Sequence, residues 1–269
     1  MYPASFTYVR PADLAAAEAA FREADDPRYL AGGMTLIPTM KQRLAAPSTL
    51  IDIARVPGLS FIRREKDTLV IGACTRHATV AAAPEVRAAI PALAALAGGI
   101  GDPAVRNRGT IGGSLANNDP AADYPSAVLG LGAVIRTTRR TIAADAFFTG
   151  MFSTALEPGE IITEVAFPGP RRAGYAKVRN PASGYAMAGV FVAETGKDVR
   201  VAVTGAGACV FRAAEMEQAL ARSFTPDALA DVRVAAADLN ADIHGSAAYR
   251  AQLVRVMAAR AAAAALSGA

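Results

Sequence analysis

Two short stretches decide the reading of this chain: Leu30-Ala31-Gly32-Gly33-Met34-Thr35-Leu36 and Arg108-Gly109-Thr110-Ile111-Gly112-Gly113-Ser114-Leu115. In the first, a strand-like run from Arg28 to Ala31 enters the glycine pair, and a helix-like run leaves it, from about Leu36 to Leu44. The second pair sits in a similar setting. Glycine lets the backbone approach a ligand closely and turn so that successive N–H groups point the same way. Helix-start amides add partial positive charge for phosphate oxygens. Two such loops converging can hold a pyrophosphate without lysine or metal, with Thr35, Thr110 and Ser114 adding hydroxyls. Taken singly, a Gly-Gly pair is more often a plain tight turn.

Working outward, the 269 residues are 52% hydrophobic and 19% charged, which suits two domains or one large α/β unit with a sizeable core. Cys74 and Cys209 are the only cysteines, and His77 and His244 the only histidines. That excludes a four-Cys iron–sulfur cluster, a Cys-rich zinc site and a disulfide framework within this chain, and argues against a His-based metal site. Redox or metal chemistry must then come from an organic cofactor or another polypeptide. The net charge of +4 comes mostly from scattered arginines, without the dense stripe and aromatic platforms of a nucleic-acid face. The opening MYPASFTYVRPADL lacks the apolar core of a signal peptide. The most apolar stretch, 88–100, is too short to span a bilayer and contains Pro91. A soluble, cytoplasmic protein with no integral membrane segment and no nucleic-acid partner is expected. There is no phosphate loop of the GxxxxGK type, no GxSxG elbow, no HExxH, no CxxC and no complete Rossmann fingerprint.

Periodicity predicts helices over 11–26 and 36–44, a strand at 49–54 and a hairpin pairing 61–63 with 68–72. Helical stretches open at Thr75 and at Pro84, the second running to GGIGDP. Asp119-Pro120 reads as the N-cap and first residue of a helix through about Leu131. Strands follow at 133–138, 140–143 and 160–167. Pro168-Gly169-Pro170-Arg171-Arg172 is a composition break. Beyond it, 175–179, 187–194 and 199–205 suggest a small antiparallel sheet, and 212–266 a helical tail interrupted near Thr225-Pro226 and His244-Gly245. The pattern is α+β.

The longer surroundings of the glycine pairs are AGGMTLIPTMKQRLAAPSTLIDIARV (31–56) and GDPAVRNRGTIGGSLANNDPAADYPSAVLGLGA (101–133). With IGACTRH (71–77), FFTGMFSTALEPGEIITEVAFP (147–168) and KVRNPASGYAMAGVFVA (177–193), they make the chain resemble a known family over nearly its whole length. It looks like the FAD-binding (medium) subunit of molybdenum hydroxylases, the group of xanthine dehydrogenases, aldehyde oxidoreductases and aerobic carbon monoxide dehydrogenases.

The resemblance implies an FAD-binding fold of the vanillyl-alcohol oxidase type over 1–170, in two α+β subdomains of about 1–55 and 56–170, and a small C-terminal α+β domain over 171–269. It implies that Ala31, Gly32, Gly33, Met34 and Thr35 wrap the pyrophosphate of FAD and that Thr110, Ile111, Gly112, Gly113 and Ser114 contact it from the other side. Some relatives carry His within the first turn, where Met34 stands here; a backbone cradle tolerates that. Asp123 falls where the family places an acid near the ribityl chain, although a first-turn helix Asp needs no ligand to explain it. Tyr185 falls where an aromatic packs on the isoalloxazine, with Gly184 replacing the acid often found before it; the edge of a sheet would also accommodate this tyrosine. Asn117 and Asn118 are candidates for adenine or ribose. No residue is assigned a catalytic or metal-binding role. The implied partners are a large molybdopterin-binding subunit and a small 2Fe–2S subunit, as a dimer of heterotrimers, with FAD as the electron outlet to quinone, NAD or oxygen. A stand-alone flavoenzyme of the same fold, or a scaffold that has lost flavin, are the alternatives.

Overall fold

The computed structural model describes residues 2–196 and 198–268. The N-terminal portion contains β1 (Thr7–Val9), α1 (Leu14–Glu23), β2 (Pro27–Leu30), α2 (Leu36–Lys41) and β3 (Thr49–Asp52). The strands form a parallel sheet in the order β1-β3-β2, with Leu50 of β3 opposite both Tyr8 and Arg28. Pro11 lies outside α1; the helix starts three residues later, where the Asp13 carboxylate accepts the Ala16 N–H at 2.8 Å. Its Ala17 packs with Ile51, Ile53, Val56 and Leu59.

Next come β4 (Ile62–Glu65), β5 (Thr68–Gly72), α3 (His77–Ala82), α4 (Pro84–Ala89), α5 (Pro91–Gly98), α6 (Pro103–Arg108), α7 (Ile111–Asn117) and α8 (Tyr124–Gly130). They are followed by β6 (Val134–Thr137), β7 (Thr141–Ala143), α9 (Ala144–Phe147), β8 (Phe148–Gly150), β9 (Ser153–Thr154) and β10 (Ile162–Pro168). The antiparallel sheet β4-β5-β10-β6-β7 packs under the helices, with Leu93, Ile111, Val128, Ile135, Val165 and Phe167 in one core. The helical stretch expected from Pro84 is broken in two, because Pro91 cannot donate back into the preceding turn and begins a new helix.

The last portion contains β11 (Arg172–Arg179), β12 (Ala186–Thr195), β13 (Asp198–Thr204), β14 (Phe211–Arg212), α10 (Ala214–Arg222), a 3-10 turn (Pro226–Leu229) and α11 (Ala247–Ser267). The antiparallel sheet β11-β12-β13-β14 is covered on both faces. Phe191 and Ala193 of β12 join the core under α8, whereas Val190 and Val192 face α11. Continuous burial explains why Ala186–Ala193 reads as an apolar run rather than an alternation. The alanine-rich α11 lies so close to β11 that a Cβ on Gly174 would meet the carbonyl oxygen of Ala261.

The expected helix from Asp119 is a correction: α8 starts only at Tyr124, and the Asp119 carboxylate instead accepts the Ala121 N–H at 2.9 Å in a local turn. The third portion uses the backbone of this segment as an extra edge. The Pro120 carbonyl accepts from Gly205 N–H at 2.8 Å and from the Thr204 hydroxyl at 3.0 Å, and the Ala121 carbonyl accepts from Ala186 N–H at 3.3 Å.

Candidate functional site: a cleft between two glycine turns

The first glycine motif lies between the end of β2 and the start of α2. Gly33 is left-handed, with φ +72°, so it turns the chain without strain. Among the described residues, no protein acceptor takes the N–H groups of Gly32, Gly33, Met34 or Thr35. Four consecutive, partly exposed backbone donors are therefore open to solvent or to a bound anion.

The second motif is built differently. The Ile111 N–H donates to Thr75 O at 3.1 Å and Gly112 N–H to Ala73 O at 2.8 Å. Gly113 N–H donates to the Thr110 hydroxyl at 3.2 Å, and Ser114 N–H to the Thr110 carbonyl at 3.0 Å. The pair sits in the first turn of α7, capped by Thr110 and docked on the end of β5. Its amides are spent inside the protein, so the expectation of a second amide cradle is corrected. Gly112 serves packing, since a Cβ there would lie 2.6 Å from the Cβ of Ala73. What this motif can present is hydroxyl and small-residue surface: Thr110, Gly113 and Ser114.

The two motifs touch. A Cβ on Gly32 would fall 2.4 Å from Arg108 O and 2.7 Å from Gly109 Cα. Beside this contact opens a cleft of about 630 Å³, lined by Ala31, Gly32, Gly33, Met34, Thr35, Thr110, Gly112, Gly113, Ser114, Asp123 and Tyr185. Its size is within the usual range for cofactor sites. Ile111 is the exception among the sequence-derived residues: its side chain is fully buried in the core, because it faces the sheet from α7.

Asp123 reaches the cleft but is occupied. Its carboxylate accepts from Tyr175 Oη at 2.5 Å and from Lys177 Nζ at 2.7 Å on one oxygen and 3.0 Å on the other. Burial pushes this carboxyl up while Lys177 and Tyr175 pull it down. Burial, reinforced by Asp123, holds the Tyr175 phenol protonated as a donor. The role implied for Asp123, accepting from ribityl hydroxyls, has to share these two oxygens. Asn118 is also engaged: its Nδ2 donates to Gly150 O at 2.8 Å and Ser153 O at 2.7 Å, whereas Asn117 lines the cleft.

Tyr185 is 42% exposed at the cleft. Partial burial raises its phenol, with Asp119 and Asp123 adding to the shift and Thr35 pulling the other way. Several cleft residues escaped sequence reasoning. Phe152 lines it from the turn between β8 and β9 with φ +52°, its N–H donating to Asn118 O at 3.2 Å. Arg106 holds the Ile100 and Gly101 carbonyls at 2.9 and 3.1 Å, fixing the rim before α6. Glu160 is buried with bonds from Thr137, Arg140 and the Glu157 amide. His77 is a buried imidazole, lowered to about 4 by burial and then by Arg106, and among the described residues neither its Nδ1 nor the neighbouring Tyr124 hydroxyl has a partner. None of these carries a local pattern; long-range packing assembles them.

The unpaired amides of the first motif, and glycines whose Cβ would close the junction, fit a pyrophosphate-bearing cofactor. Residues 4–170 match the family described as the FAD binding domain in molybdopterin dehydrogenase, and residues 175–265 the CO dehydrogenase flavoprotein C-terminal domain. The nicotine 6-hydroxylase medium subunit of Paenarthrobacter nicotinovorans is 36% identical, with 94% of each chain covered. The carbon monoxide dehydrogenase medium chain of Hydrogenophaga pseudoflava is also 36% identical, with 97% of each covered. The solved structure of reconstituted CO dehydrogenase from Oligotropha carboxidovorans superposes with a TM-score of 0.91 at 34% identity, covering 100% of both chains. Among the described residues no helix is long and apolar enough to cross a membrane. With both family matches, relatives along its length and a cleft suited to the cofactor, this chain belongs to the FAD-binding medium subunits of the molybdenum hydroxylases, oxidoreductase subunits whose cofactor is FAD.

Proposed function

We propose that this chain is the electron outlet of a three-subunit molybdenum hydroxylase. Bound FAD supplies a carrier that accepts electrons singly from 2Fe–2S clusters and releases them in pairs. The chain's own residues bind and orient it. The amides of Gly32, Gly33, Met34 and Thr35 take the pyrophosphate, with Ala31 leading into the turn. Thr110 and Ser114 donate hydroxyls from across the junction, Gly113 keeps that wall low, Gly112 lets it dock on Ala73, and Tyr185 borders the ring system. Ile111 supports this wall from the core. No acid or base of this chain enters the reaction.

The observation that carries the reading is the run of four amides without acceptors beside a cleft that the second motif shares. The proposed organisation is an FAD-binding part over 1–170, with subdomains of about 1–55 and 56–170, and a C-terminal domain over 171–269. The proposed partners are a large molybdopterin-binding subunit and a small 2Fe–2S subunit, paired as a dimer of heterotrimers in the cytoplasm, with quinone, NAD or oxygen as acceptor. Relatives named as medium chains of carbon monoxide and glyceraldehyde dehydrogenases support the assembly. Purification of the tagged chain from its native cells tests it. Flavin absorption near about 450 nm, a molybdenum-containing chain and an iron–sulfur chain are expected together. A flavin-bearing monomer oxidising an organic substrate unaided would refute the electron-outlet reading.

A further inference from the structure

Lys177 has no part in the sequence-derived site, yet its side chain is only 5% exposed and its ammonium is shared between two parts of the molecule. One side meets the Asp123 carboxylate at 2.7 and 3.0 Å, just ahead of α8. The other donates to the carbonyl of Gly184 at 3.0 Å. Gly184 belongs to the turn after β11, held left-handed at φ +72°, where Gly184 N–H donates to Asn180 O at 2.9 Å and Asn180 N–H to Tyr185 O at 2.8 Å. The Asn180 side chain accepts from Ala182 and Ser183 N–H at 2.9 and 3.3 Å, making the turn internally rigid. A rigid turn moves as a unit, so what fixes it to the rest of the protein decides where Tyr185 stands. Among the described residues, two hydrogen-bonded links tie this hairpin turn to the segment ahead of α8: the Ala186 N–H on Ala121 O at 3.3 Å, and the shorter, charged path from the Gly184 carbonyl through Lys177 to Asp123.

We propose that Lys177 is a positioning residue of the flavin site: through Asp123 and Gly184 it latches the turn that sets Tyr185 at the cleft mouth. The latch orders the site only when the cationic bridge is whole. Removing the ammonium leaves Asp123 with Tyr175 alone and frees the Gly184 carbonyl. Lys177 is suited to this because a flexible stem with three donors can serve a carboxylate and a carbonyl together. The proposal rests on the reading that the cleft holds FAD, but its geometric half can be measured without FAD.

The chain has no Trp, so Tyr185→Trp provides a unique reporter in the full-length protein. In this background, Lys177→Met is expected to shift the Trp emission to the red and at least about double its acrylamide quenching, as a fixed aromatic becomes mobile. Lys177→Arg is expected to recover part of the change. Because an unpaired buried Asp123 threatens folding, Lys177→Met is also combined with Asp123→Asn, which removes both charges and is expected to give the same displaced Trp. Far-UV circular dichroism and Tm check the fold of each. With Tyr185 restored, FAD affinity of the Lys177→Met chain is expected to fall about tenfold, and Lys177→Arg to recover part of it. Unchanged Trp emission and quenching in the folded charge-neutral double variant would overturn the latch. Unchanged Trp with FAD lost would also overturn it, making Lys177 a direct ligand instead. Displaced Trp in a chain that never binds FAD would leave the latch standing and refute the flavin reading alone.

Discussion

Gly32→Ala is the smallest change that tests whether the two glycine motifs act as one site. The added Cβ would lie 2.4 Å from Arg108 O, 2.7 Å from Gly109 Cα and 2.9 Å from Arg108 C, all backbone atoms. Comfortable contact needs about 3.4 Å or more, so the strand-to-helix turn and the segment leading into α7 must separate by roughly 1 Å. Overpacking of this kind costs about 1–3 kcal/mol. Where that cost is relieved by opening the junction beside the cleft, binding energy is lost instead, and the FAD Kd is expected to rise about 5- to 150-fold. Gly58→Ala provides the control. Gly58 has φ +81° and nothing within 4 Å of its Cβ position, so alanine there pays only the left-handed backbone cost, about 1 kcal/mol. The assay is fluorescence titration of the flavin-depleted full-length chain with FAD, alongside thermal unfolding. Gly58→Ala should lower Tm modestly and leave the Kd alone; Gly32→Ala should raise the Kd. A Gly32→Ala protein that binds FAD as tightly as the wild type would refute the coupling of the motifs.

Three further outcomes follow from the same geometry. Gly112→Val drives a branched side chain into Ala73, so it should lower Tm or the yield of soluble protein sharply; Gly33→Val, at φ +72° with the Ile37 and Leu30 side chains near, should yield folded protein with weakened FAD binding, and equal losses of Tm and soluble yield in both would contradict the assignment of Gly112 to packing. Glu160 is pushed up by burial, but bonds from Arg140, the Glu157 amide and Thr137 outweigh this and bring it to about 2, against an ordinary value of 4.5. A carboxyl depressed on folding stabilises fully above its unfolded pKa and loses that contribution as pH falls from 4.5 through 2. Urea unfolding over that range should therefore show a steeper acid loss in the wild type than in Glu160→Gln, with a ceiling of roughly 3 kcal/mol at neutral pH; parallel curves would contradict it. Asn118→Ala removes two donors from the Gly150 and Ser153 carbonyls and should cost about 1–3 kcal/mol and loosen the turn bearing Phe152, read as faster amide exchange over 148–154.

The elements were legible where local rules govern them. The hairpin at 62–72 and the apolar β12 follow from period and turn chemistry. Pro120 misled for a physical reason: an Asp-Pro pair is a strong helix start, yet the carbonyls after it are worth more as acceptors for Thr204, Gly205 and Ala186 than as the first turn of α8. In the site, the first motif's turn between strand and helix was readable because its signals are local. The second motif resembles it in letters but differs in accounting, since its partners, Thr75 and Ala73, lie some 35 residues earlier in a strand end that only the fold brings near. Lys177 was invisible: a single lysine in a strand looks like a solvated edge until Asp123 and Gly184 are placed on either side of it.

The segment from Asn118 to Asp123 explains how these pieces become one site. Asn118, left-handed at φ 43°, ends α7 and clamps the turn carrying Phe152. Asp119 folds the chain back on Ala121. Pro120, Ala121 and Ala122 give their carbonyls to the C-terminal portion, and Asp123 pairs with Lys177 from it. Six consecutive residues thus bind the second glycine motif to the aromatic rim on one side and to the third sheet on the other. A C-terminal portion joined only by apolar packing could slide relative to the glycine turns at little cost, whereas directional bonds to this segment and a buried ion pair forbid it. The proposed cofactor cleft is therefore completed by the portion of the chain that contains neither glycine motif, and a change in β11 or β12 reaches it through Asp123 and Ala121 without altering a single glycine.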